Sequence, residues 1–431
     1  MDRFRVENLK KLIFSATFKD TIWVFSGNVV SSFLAFIYTI FLARSLNPAN
    51  YGIFAAVFSF MLLTADIGDL GIGSTLSRFL PPLYIQKKYE EASSFFKTAF
   101  IFQLKIALFL TVLIFSSAKI ISGLILNDTS FSNLFRISAF GVLGIIILAF
   151  FSFYLSCQKK FLPVAFLSVM STMIKAIIIF ALFSFNLLNV KNALIAFMLS
   201  AFVVTIFLPI FLSFDFIKVR EQRNNLKKLL SFSIFLGVSR FFSAASSRLD
   251  ALMLIPLSSA YEAGIYAGAY KIAFLYIILL SSFSMVIAPR LSGMKKMEDS
   301  LNYLKKVVMA VILILLTMGV MFVISDWFVT FVLGVNYLGS VAVFKLLLVP
   351  MALFTLTVPT VNFLLYVLSK PHVSTFNTFV QLIIIFFGNL LFIPKFGRFG
   401  PVATLTVSYG FTFLSSLFFS VYYYRKKIYA E

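Results

Sequence analysis

Roughly twelve apolar runs, each about 20 residues long, divide this chain of 431 residues, and only short polar segments separate them. A run of that length can cross a bilayer as a helix. Hydrophobic residues make up 61% of the chain and charged residues 12%, whereas in soluble domains about half of the residues are apolar and a quarter are charged. No stretch remains for a soluble catalytic domain. The pattern therefore predicts an all-α polytopic membrane protein with about twelve transmembrane helices.

One of these runs occurs twice. The segment Tyr51-Gly52-Ile53-Phe54-Ala55 corresponds to Ala263-Gly264-Ile265-Tyr266-Ala267 at an offset of 264 − 52 = 212, which also relates Arg78 to Arg290. A second match, of residues 87–91 to residues 295–299, has an offset of 295 − 87 = 208. Repeats of this kind indicate an internally duplicated fold. Because six spans return the chain to its starting face, we predict two parallel six-helix lobes related by a pseudo-twofold axis.

The distribution of basic residues predicts the topology. With a cytoplasmic N-terminus, about 25 of the 37 Lys and Arg residues fall in cytoplasmic segments and about 6 in external loops, which agrees with the positive-inside rule. We expect a multi-pass protein of the cytoplasmic (inner) membrane with both termini in the cytoplasm. This topology, together with attraction to anionic lipid, accounts for the net charge of +21 without a nucleic-acid partner.

The polar segments also predict the boundaries between the domains of the chain. They are a cytoplasmic amphipathic helix (1–20), an N-terminal lobe of spans one to six (21–214), a basic cytoplasmic linker (215–228), a C-terminal lobe of spans seven to twelve (229–423) and a cytoplasmic tail (424–431). A tight external turn is expected at Leu46-Asn47-Pro48. The second span is predicted over about 51–76 and the seventh over about 229–256, with Arg78 and Lys97 in a basic loop between spans two and three.

Basic residues inside the spans are candidate functional residues, because a charge at the bilayer centre costs roughly 2.5 to 3.5 kcal/mol. Lys175 and Arg240 lie about ten residues from either end of their spans, too far inside for easy contact with the headgroups. Arg248 and Lys271 lie in the outer halves of their spans. We interpret Lys175 and Arg240 as cations that face a water-filled cavity, whereas Arg248 and Lys271 either line such a cavity or reach the headgroups.

Three acidic residues also lie within spans. Asp66 and Asp69 share one face of the second span, where they either neutralise basic residues of a facing helix or take up a proton or Na⁺ during transport. Asp250 lies two positions after Arg248, so these two side chains point to nearly opposite sides of one helix. Asp250 is therefore the third candidate for ion coupling or charge pairing.

Residues suited to catalysis or metal binding are scarce. The single Cys157 cannot form an intramolecular disulfide, and the single His372 leaves no His/Cys metal cluster. The phosphate-binding pattern GxxxxGK[ST] is absent, and no acid lies near His372 in the sequence. The chain is therefore predicted to be a transporter without catalytic residues, metal or organic cofactor, driven by H⁺, Na⁺ or the membrane potential.

The excess of intramembrane cations indicates the kind of cargo. A positively charged cavity favours an anion, and the Arg guanidinium bonds phosphate oxygens in pairs, as a pyrophosphate requires. Outward movement of about two negative charges against an inside-negative potential is downhill by roughly 2.3 kcal/mol per charge per 100 mV. Export of a lipid pyrophosphate by alternating access could therefore proceed without ATP.

A set of motif residues resembles a known family. The residues are Phe41-Leu42-Ala43-Arg44-Ser45-Leu46, Tyr51-Gly52-Ile53-Phe54, Asp66-Ile67-Gly68-Asp69-Leu70-Gly71 and Arg78. They resemble the polysaccharide and oligosaccharide (O-antigen type) flippases of the multidrug/oligosaccharidyl-lipid/polysaccharide (MOP) exporter superfamily. The chain departs from the family at Asn47, where Gly is more usual.

The resemblance implies a V-shaped pair of six-helix lobes that moves an undecaprenyl-pyrophosphate-linked glycan from the inner to the outer leaflet. By position, Arg240, Lys175, Arg248 and Lys271 would be the cavity cations, and Asp66 and Asp69 would couple transport to an ion. Conformational roles would fall to Arg44, Gly52 and Arg78, with Gly264 and Arg290 in the second copy. The implied partners are membrane lipid, glycosyltransferases and a polysaccharide polymerase or ligase, and we expect a monomer.

Other functions remain open at this stage. A lipid II flippase uses similar chemistry, although it would usually bring additional spans and basic residues in span one. A multidrug antiporter of the same superfamily would need unpaired acids rather than Lys175 and Arg240. A membrane glycosyltransferase or polymerase would show a large external loop or an acidic catalytic pair, and a purely structural protein would not need buried charges in both halves.

Overall fold

The computed structural model describes residues 16–294 and 296–428, and the regular secondary structure of these residues is helical throughout. Residues 1–15 of the predicted amphipathic helix lie outside the described residues. The all-α fold class predicted from the apolar runs is confirmed.

The first half of the described chain contains seven helices longer than a single turn. They are α1 (Ala16–Ser45), α2 (Pro48–Gly68), α3 (Ile72–Ile85), α4 (Tyr89–Leu126), α5 (Ser132–Cys157), α6 (Phe161–Ser184) and α7 (Val190–Thr205). The second half contains seven more. They are α8 (Arg223–Ser246), α9 (Leu249–Leu257), α10 (Ala260–Ser292), α11 (Met297–Leu333), α12 (Gly339–Asn362), α13 (Pro371–Phe396) and α14 (Gly400–Ile428).

Eleven segments of the described chain are long and apolar enough to cross a membrane. The last of these, Pro371–Lys427, contains two helices, α13 and α14, so the number of crossing helices agrees with the predicted twelve. The predicted turn between spans one and two also forms, and the Asn47 side chain there accepts the amide hydrogen of Asn50 at 2.9 Å. Helix α2 begins at Pro48, whose fixed φ and missing N–H suit the first position of a helix.

Two spans predicted as continuous helices are interrupted. The second consists of α2 and α3, and between them Leu70 and Gly71 have φ of 46° and 75°. The seventh consists of α8 and α9, with two residues between them. The predicted basic loop is wrong for Arg78, which lies in α3, and for Lys97, which lies in α4. Hydropathy extends across these breaks, because it does not depend on backbone conformation.

The described residues divide into two compact units. The first unit consists of 16–45, Phe60–Gly123 and Asp128–Phe241, and the second consists of Leu46–Ser59, Leu124–Asn127 and 242–428. Helix α2 therefore contributes residues 48–59 to the second unit and residues 60–68 to the first. The lobe boundaries drawn from the sequence stay a prediction.

An aromatic cluster is part of the core of the first unit. Phe96 of α4 stacks on Phe150 of α5 with ring centroids 5.2 Å apart and meets Phe216 edge-on at 4.7 Å, and all three rings are buried. Phe216 belongs to the segment that the sequence predicts as the linker. The Lys97 ammonium holds this segment by donating to two of its carbonyl oxygens at 2.7 and 2.9 Å. These contacts fix the beginning of the linker on the first unit.

A polar contact joins the start of α10 to the turn between α13 and α14 in the second unit. The Glu262 carboxylate accepts the backbone N–H of Arg398 at 2.9 Å, and its other oxygen lies 3.4 Å from the Arg398 guanidinium. Ser259 caps α10 by accepting the amide hydrogen of Glu262 at 3.2 Å. Because a Ser cap followed three residues later by Glu fixes a helix start, α10 begins at a defined position.

Candidate translocation site

The break between α2 and α3 positions an ion pair in the first unit. Asp69 lies in the break, buried, and one of its carboxylate oxygens accepts the amide hydrogen of Gly73 at 3.2 Å. The other oxygen pairs with the guanidinium of Arg240, whose side chain is 39% exposed. The Arg240 guanidinium also lies 5.3 Å from the ring centroid of Phe153. The structure thus brings together two of the residues predicted from the sequence and leaves part of the Arg240 side chain accessible.

Two glycines allow the backbones to approach each other beside this ion pair. A Cβ added to Gly71 would lie 2.6 Å from the carbonyl oxygen of Ser233, and a Cβ added to Gly237 would lie 2.8 Å from that of Leu70. Gly71 also needs its positive φ of 75° to redirect the chain into α3. Gln103 donates to the last carbonyl of α2, at Gly68, at 2.8 Å and so satisfies a group that the break would leave unpaired.

Lys175 lies in α6 of the same unit, half-buried, with its ammonium 5.6 Å from the ring centroid of Phe197. About two turns earlier on α6, the hydroxyl of Ser168 meets that of Ser31 on α1 at 3.2 Å. Small residues bring α1 and α6 together there, since a Cβ on Gly27 would lie 2.7 Å from the Cβ of Ala165. Ser31 and Ser168 therefore face each other, and Lys175 lies two turns further along α6.

A different polar group surrounds Asp250 in the second unit. Its carboxylate is buried and accepts a hydrogen bond from the Tyr266 hydroxyl at 2.9 Å and another from the Asn389 amide at 2.9 Å. Within the described part of the chain no cation lies within ion-pair distance of Asp250. Two neutral donors therefore hold this buried carboxylate, and a buried charge needs a counter-charge or a proton to offset the loss of hydration.

The other predicted residues are distributed over both units. Lys271 is half-buried in α10 and forms no ion pair with the residues that the structure describes, and Arg248 is half-buried immediately before α9. Asp66 is half-buried on α2, three residues before Asp69. The first unit holds Arg240 and Lys175, and the second holds Arg248 and Lys271.

The repeated motif residues occupy similar settings in the two copies. Arg78 is exposed with its guanidinium 4.2 Å from the Phe232 ring centroid, and Arg290 is exposed with its guanidinium 6.0 Å from that of Tyr303. Arg44 is exposed in the last turn of α1. The remaining pair is Gly52 and Gly264, which lie at a helix crossing in the second unit.

Sequence reasoning did not find the partners of Asp250. Asn389 could be recognised only as an amide in an apolar span, and Tyr266 only as part of the repeated motif. Neither pattern indicates which carboxylate the side chain bonds. Among residues 16–294 and 296–428, no group of three or more His, Cys, Asp or Glu side chains is placed to hold a metal ion.

The membrane-crossing helices define a multi-pass membrane protein. A family model described as polysaccharide biosynthesis protein matches residues 17–295. The chain belongs to this family, and the resemblance drawn from its motif residues is confirmed. Among curated protein sequences, none matches the chain significantly.

Solved structures of MOP superfamily transporters share the fold. An inward-facing multidrug resistance MATE family transporter is 15% identical, with 92% of this chain and 96% of that chain covered and a TM-score of 0.77. The lipid II flippase MurJ in an inward closed conformation is 17% identical, with 92% and 87% covered and a TM-score of 0.72. A MOP superfamily transporter from Pyrococcus furiosus is 14% identical, with 96% and 98% covered and a TM-score of 0.65.

Proposed function

We propose that this protein is a flippase that moves an undecaprenyl-pyrophosphate-linked oligosaccharide from the inner to the outer leaflet by alternating access. The observation that carries the proposal is Arg240, an arginine with a partly exposed side chain inside a span of a protein from a polysaccharide biosynthesis family. Arg248, Lys175 and Lys271 extend the positive charge along the spans of both units. Such a distribution favours an anionic headgroup.

The pair of Arg240 with Asp69 supports exchange with a phosphate. Pyrophosphate oxygens can replace the Asp69 carboxylate on Arg240, because a guanidinium bonds two phosphate oxygens at once. Asp69 would keep its hydrogen bond from the Gly73 amide, at the start of α3, where the helix dipole favours a negative charge. Neither charge is then left isolated in the membrane when the cargo binds.

The driving force proposed is the membrane potential, assisted by a cation that binds at Asp250. Outward movement of about two negative charges is favoured by roughly 2.3 kcal/mol per charge per 100 mV of inside-negative potential. The buried Asp250 carboxylate, bonded by Tyr266 and Asn389, has the setting expected of a group that takes up H⁺ or Na⁺. Asp69 is less suited to this role because Arg240 already neutralises it.

The setting proposed for this activity is the cytoplasmic (inner) membrane, with both termini in the cytoplasm and the protein a monomer. Glycosyltransferases would supply the lipid-linked glycan at the inner leaflet. A polymerase or ligase would consume the glycan at the outer leaflet.

The test is translocation in proteoliposomes that contain a fluorescent undecaprenyl-pyrophosphate oligosaccharide under an imposed potential. An impermeant quencher measures the fraction of cargo in each leaflet. Arg240→Gln should slow translocation at least about tenfold, since loss of a hydrogen bond to a charged group costs about 1.5 to 3 kcal/mol. Lys175→Gln should slow it as well.

Arg136→Gln is the matched control. Arg136 bonds Asn133 at 2.9 Å near the start of α5, and its guanidinium lies 5.6 Å from the Phe115 ring centroid. It is not one of the predicted cavity cations, so its loss should leave the rate unchanged. Wild-type protein that moves no cargo would contradict the proposed function. Equal rates in the wild type, Arg240→Gln and Lys175→Gln would contradict the assignment of these two residues.

The lipid II flippase function is the second candidate, because the fold covers 87% of the MurJ chain. The same liposomes distinguish the two functions when they contain fluorescent lipid II in place of the oligosaccharide carrier. For the Pyrococcus furiosus transporter, the reverse polarity of its binding pocket suggests a different function within the superfamily. A drug antiporter would correspondingly exchange a cationic dye for protons, and the cations Arg240 and Lys175 argue against it here.

A further inference from the structure

Two loops that are cytoplasmic in the proposed topology are built alike. Lys160 directly precedes α6 and Lys370 directly precedes α13. Each lysine follows a residue in the left-handed region, with a φ of 59° at Lys159 and of 54° at Ser369. One offset relates both pairs, since 369 − 159 = 210 and 370 − 160 = 210. The two loops therefore place a lysine at matching positions of the two units.

The ammonium groups of these two lysines have different surroundings. The Lys160 ammonium donates to the carbonyl oxygen of Phe211 at 2.9 Å. The half-buried Lys370 forms no side-chain hydrogen bond or ion pair with the residues that the structure describes, and its ammonium lies 5.0 Å from the ring centroid of Tyr423. An ammonium over an aromatic face keeps its N–H donors. The donors of Lys370 are therefore available to an anion, whereas Lys160 is already bonded within its own unit.

Contacts on both sides hold Lys370 at this position. The backbone N–H of Lys370 donates to the carbonyl oxygen of Leu364 at 2.9 Å, in the π-helical turn that follows α12. The hydroxyl of Tyr423 lies 3.3 Å from Nε2 of His372, within hydrogen-bond distance. The ammonium, the hydroxyl and the imidazole thus form one polar group at the start of α13. We call these three side chains the α13 polar group.

The charges around the α13 polar group are mainly positive. Lys427 is exposed and follows Tyr423 by four residues, which places both on one face of α14. Glu298 and Asp299 begin α11, which packs against the same apolar cluster as Tyr423, but within the described part of the chain neither acid forms an ion pair with Lys370. Unpaired basic residues at the cytoplasmic surface of a membrane attract anionic lipid.

An exposed apolar stripe begins at the α13 polar group. His372 is followed at helical spacing by four side chains that are 40% to 51% exposed, namely Phe376, Phe379, Ile383 and Phe386. From His372 to Phe386 the helix advances 386 − 372 = 14 residues, or about 21 Å. Half of the hydrocarbon core is about 15 Å thick. The stripe is therefore long enough to accompany an acyl chain through the inner leaflet.

We propose that Lys370, Tyr423 and His372 bind the phosphate of an anionic phospholipid of the inner leaflet, whose acyl chain lies along the stripe on α13. The ammonium pairs with the phosphate charge, and the hydroxyl and the imidazole bond phosphate oxygens. A soluble anion would leave the stripe uncovered, and an uncharged lipid would leave the ammonium unpaired. The site is separate from the residues proposed to bind the cargo, and it depends on the proposed topology only for the leaflet.

Native mass spectrometry of the full-length protein in detergent measures this binding, with dioleoyl phosphatidylglycerol and dioleoyl phosphatidylcholine as probes. The wild type should bind phosphatidylglycerol more tightly. Lys370→Gln should weaken phosphatidylglycerol binding about fivefold, the effect of one basic residue near an anionic headgroup, and leave phosphatidylcholine binding unchanged. Lys370→Arg should keep the wild-type affinity. Lys160→Gln is the matched control and should change neither affinity, because the Lys160 ammonium is bonded to Phe211.

A second measurement maps the acyl chain. Benzoylphenylalanine introduced at Phe376 should cross-link phosphatidylglycerol on illumination, and Lys370→Gln should lower the yield about fivefold. The same group introduced at Ile210, which is 70% exposed in the first unit, should give equal yields with and without Lys370→Gln. If Lys370→Gln fails to fold, Tyr423→Phe tests the site, since it keeps the ring under the ammonium. Loss of its hydroxyl should weaken phosphatidylglycerol binding about twofold.

Equal losses of phosphatidylglycerol affinity in Lys370→Gln and Lys160→Gln would overturn the site, because both lysines would then act only through the net charge. Unchanged affinity in folded Lys370→Gln, or in Tyr423→Phe if Lys370→Gln does not fold, would overturn it as well. If Lys370→Gln weakens binding of undecaprenyl pyrophosphate but not of phosphatidylglycerol, the occupant is the proposed cargo and the phospholipid assignment is wrong. Neither readout involves translocation, so the lipid site and the flippase function can fail independently.

Discussion

Two glycine-lined helix crossings differ in whether their residues occupy matching positions in the two copies of the repeat. In the second unit, Gly52 meets Gly264 at equivalent positions of the repeat. In the first unit, Gly71 meets Gly237, but the position that matches Gly71 in the second copy holds Phe283 (71 + 212 = 283). The two glycines of the crossing in the second unit therefore occupy matching positions of the repeat. In the crossing of the first unit, Gly71 has no matching glycine.

The ion pair of Asp69 with Arg240 also lies at residues that the repeat does not preserve. The pair of Asp69 with Arg240 lies beside the crossing of Gly71 with Gly237, and the position that matches Asp69 in the second copy holds Ser281 (69 + 212 = 281). The repeated crossing is made by main-chain contacts. Duplication thus accounts for a symmetric scaffold, while the residues proposed to recognise the anionic headgroup lie where the copies have diverged.

Alanine substitutions compare the two crossings, and they should have the largest effects. Gly71→Ala should lower the free energy of unfolding by about 2 to 5 kcal/mol, because a left-handed φ costs about 1 to 2 and overlap with Ser233 about 1 to 3. Gly52→Ala lacks the conformational cost and should lower it by about 1 to 3 kcal/mol. The check is unfolding in mixed detergent micelles. Gly319→Ala should instead raise stability slightly, since Ala is the better helix former.

The prediction for the glycines would be contradicted by the opposite order. A larger loss for Gly52→Ala than for Gly71→Ala would show that the crossing at Gly71 relaxes around the new methyl group. The positive φ of Gly71 would then contribute less to the loss of stability than the structure indicates.

The ion pair should contribute the next largest effect. Asp69→Asn keeps the shape of the side chain but places an amide against the Arg240 guanidinium. Breaking a fully buried pair costs about 3 to 5 kcal/mol, but Arg240 is 39% exposed, so about 1 to 2 kcal/mol is expected. A double-mutant cycle with Arg240→Gln should give a coupling energy of similar size. Coupling near zero would show that the pair is only incidental.

Sequence reasoning was most reliable where the pattern repeats over many residues. Apolar runs predicted the crossing helices, and the motif predicted the equivalence of Gly52 and Gly264. The second span was predicted as one continuous helix, because hydropathy carries no information on the positive φ of Leu70 and Gly71 that ends α2. The pairing of Asp69 with Arg240 was one open alternative, since a single sequence places a charge on a face without naming its partner 171 residues away.

Asp250 in the second unit differs from Asp69 in the first, because it is a buried carboxylate whose hydrogen-bond partners are neutral. The proposed coupling ion should stabilise the folded protein by RT ln(1 + [ion]/Kd), so the melting temperature of the wild type should rise with Na⁺ or with proton concentration. Asp250→Asn should keep the hydrogen bond from Tyr266 and change the free energy of unfolding by less than about 1 kcal/mol. It should also abolish the ion dependence. A variant that still responds to the ion would place the coupling site elsewhere.

The contact of Ser31 with Ser168 should give the smallest effect. Hydrogen bonds between membrane helices average about 0.6 kcal/mol, so Ser168→Ala should lower the free energy of unfolding by about that amount. Translocation should be unchanged, because Lys175 lies two turns further along α6. Ser184→Ala is the control, since the Ser184 hydroxyl bonds within its own helix, to the Phe180 carbonyl oxygen at 3.0 Å.

Selection of an anionic headgroup by the intramembrane cations is tested by comparing the translocation of two cargoes in the same proteoliposomes. One carries its oligosaccharide on undecaprenyl pyrophosphate, and the other carries it on an uncharged polyprenyl chain. The wild type should move the pyrophosphate cargo at least about tenfold faster, and Arg240→Gln should remove most of this preference. Equal rates for the two cargoes in the wild type, or a preference that survives in Arg240→Gln, would show that Arg240 does not select the anionic headgroup.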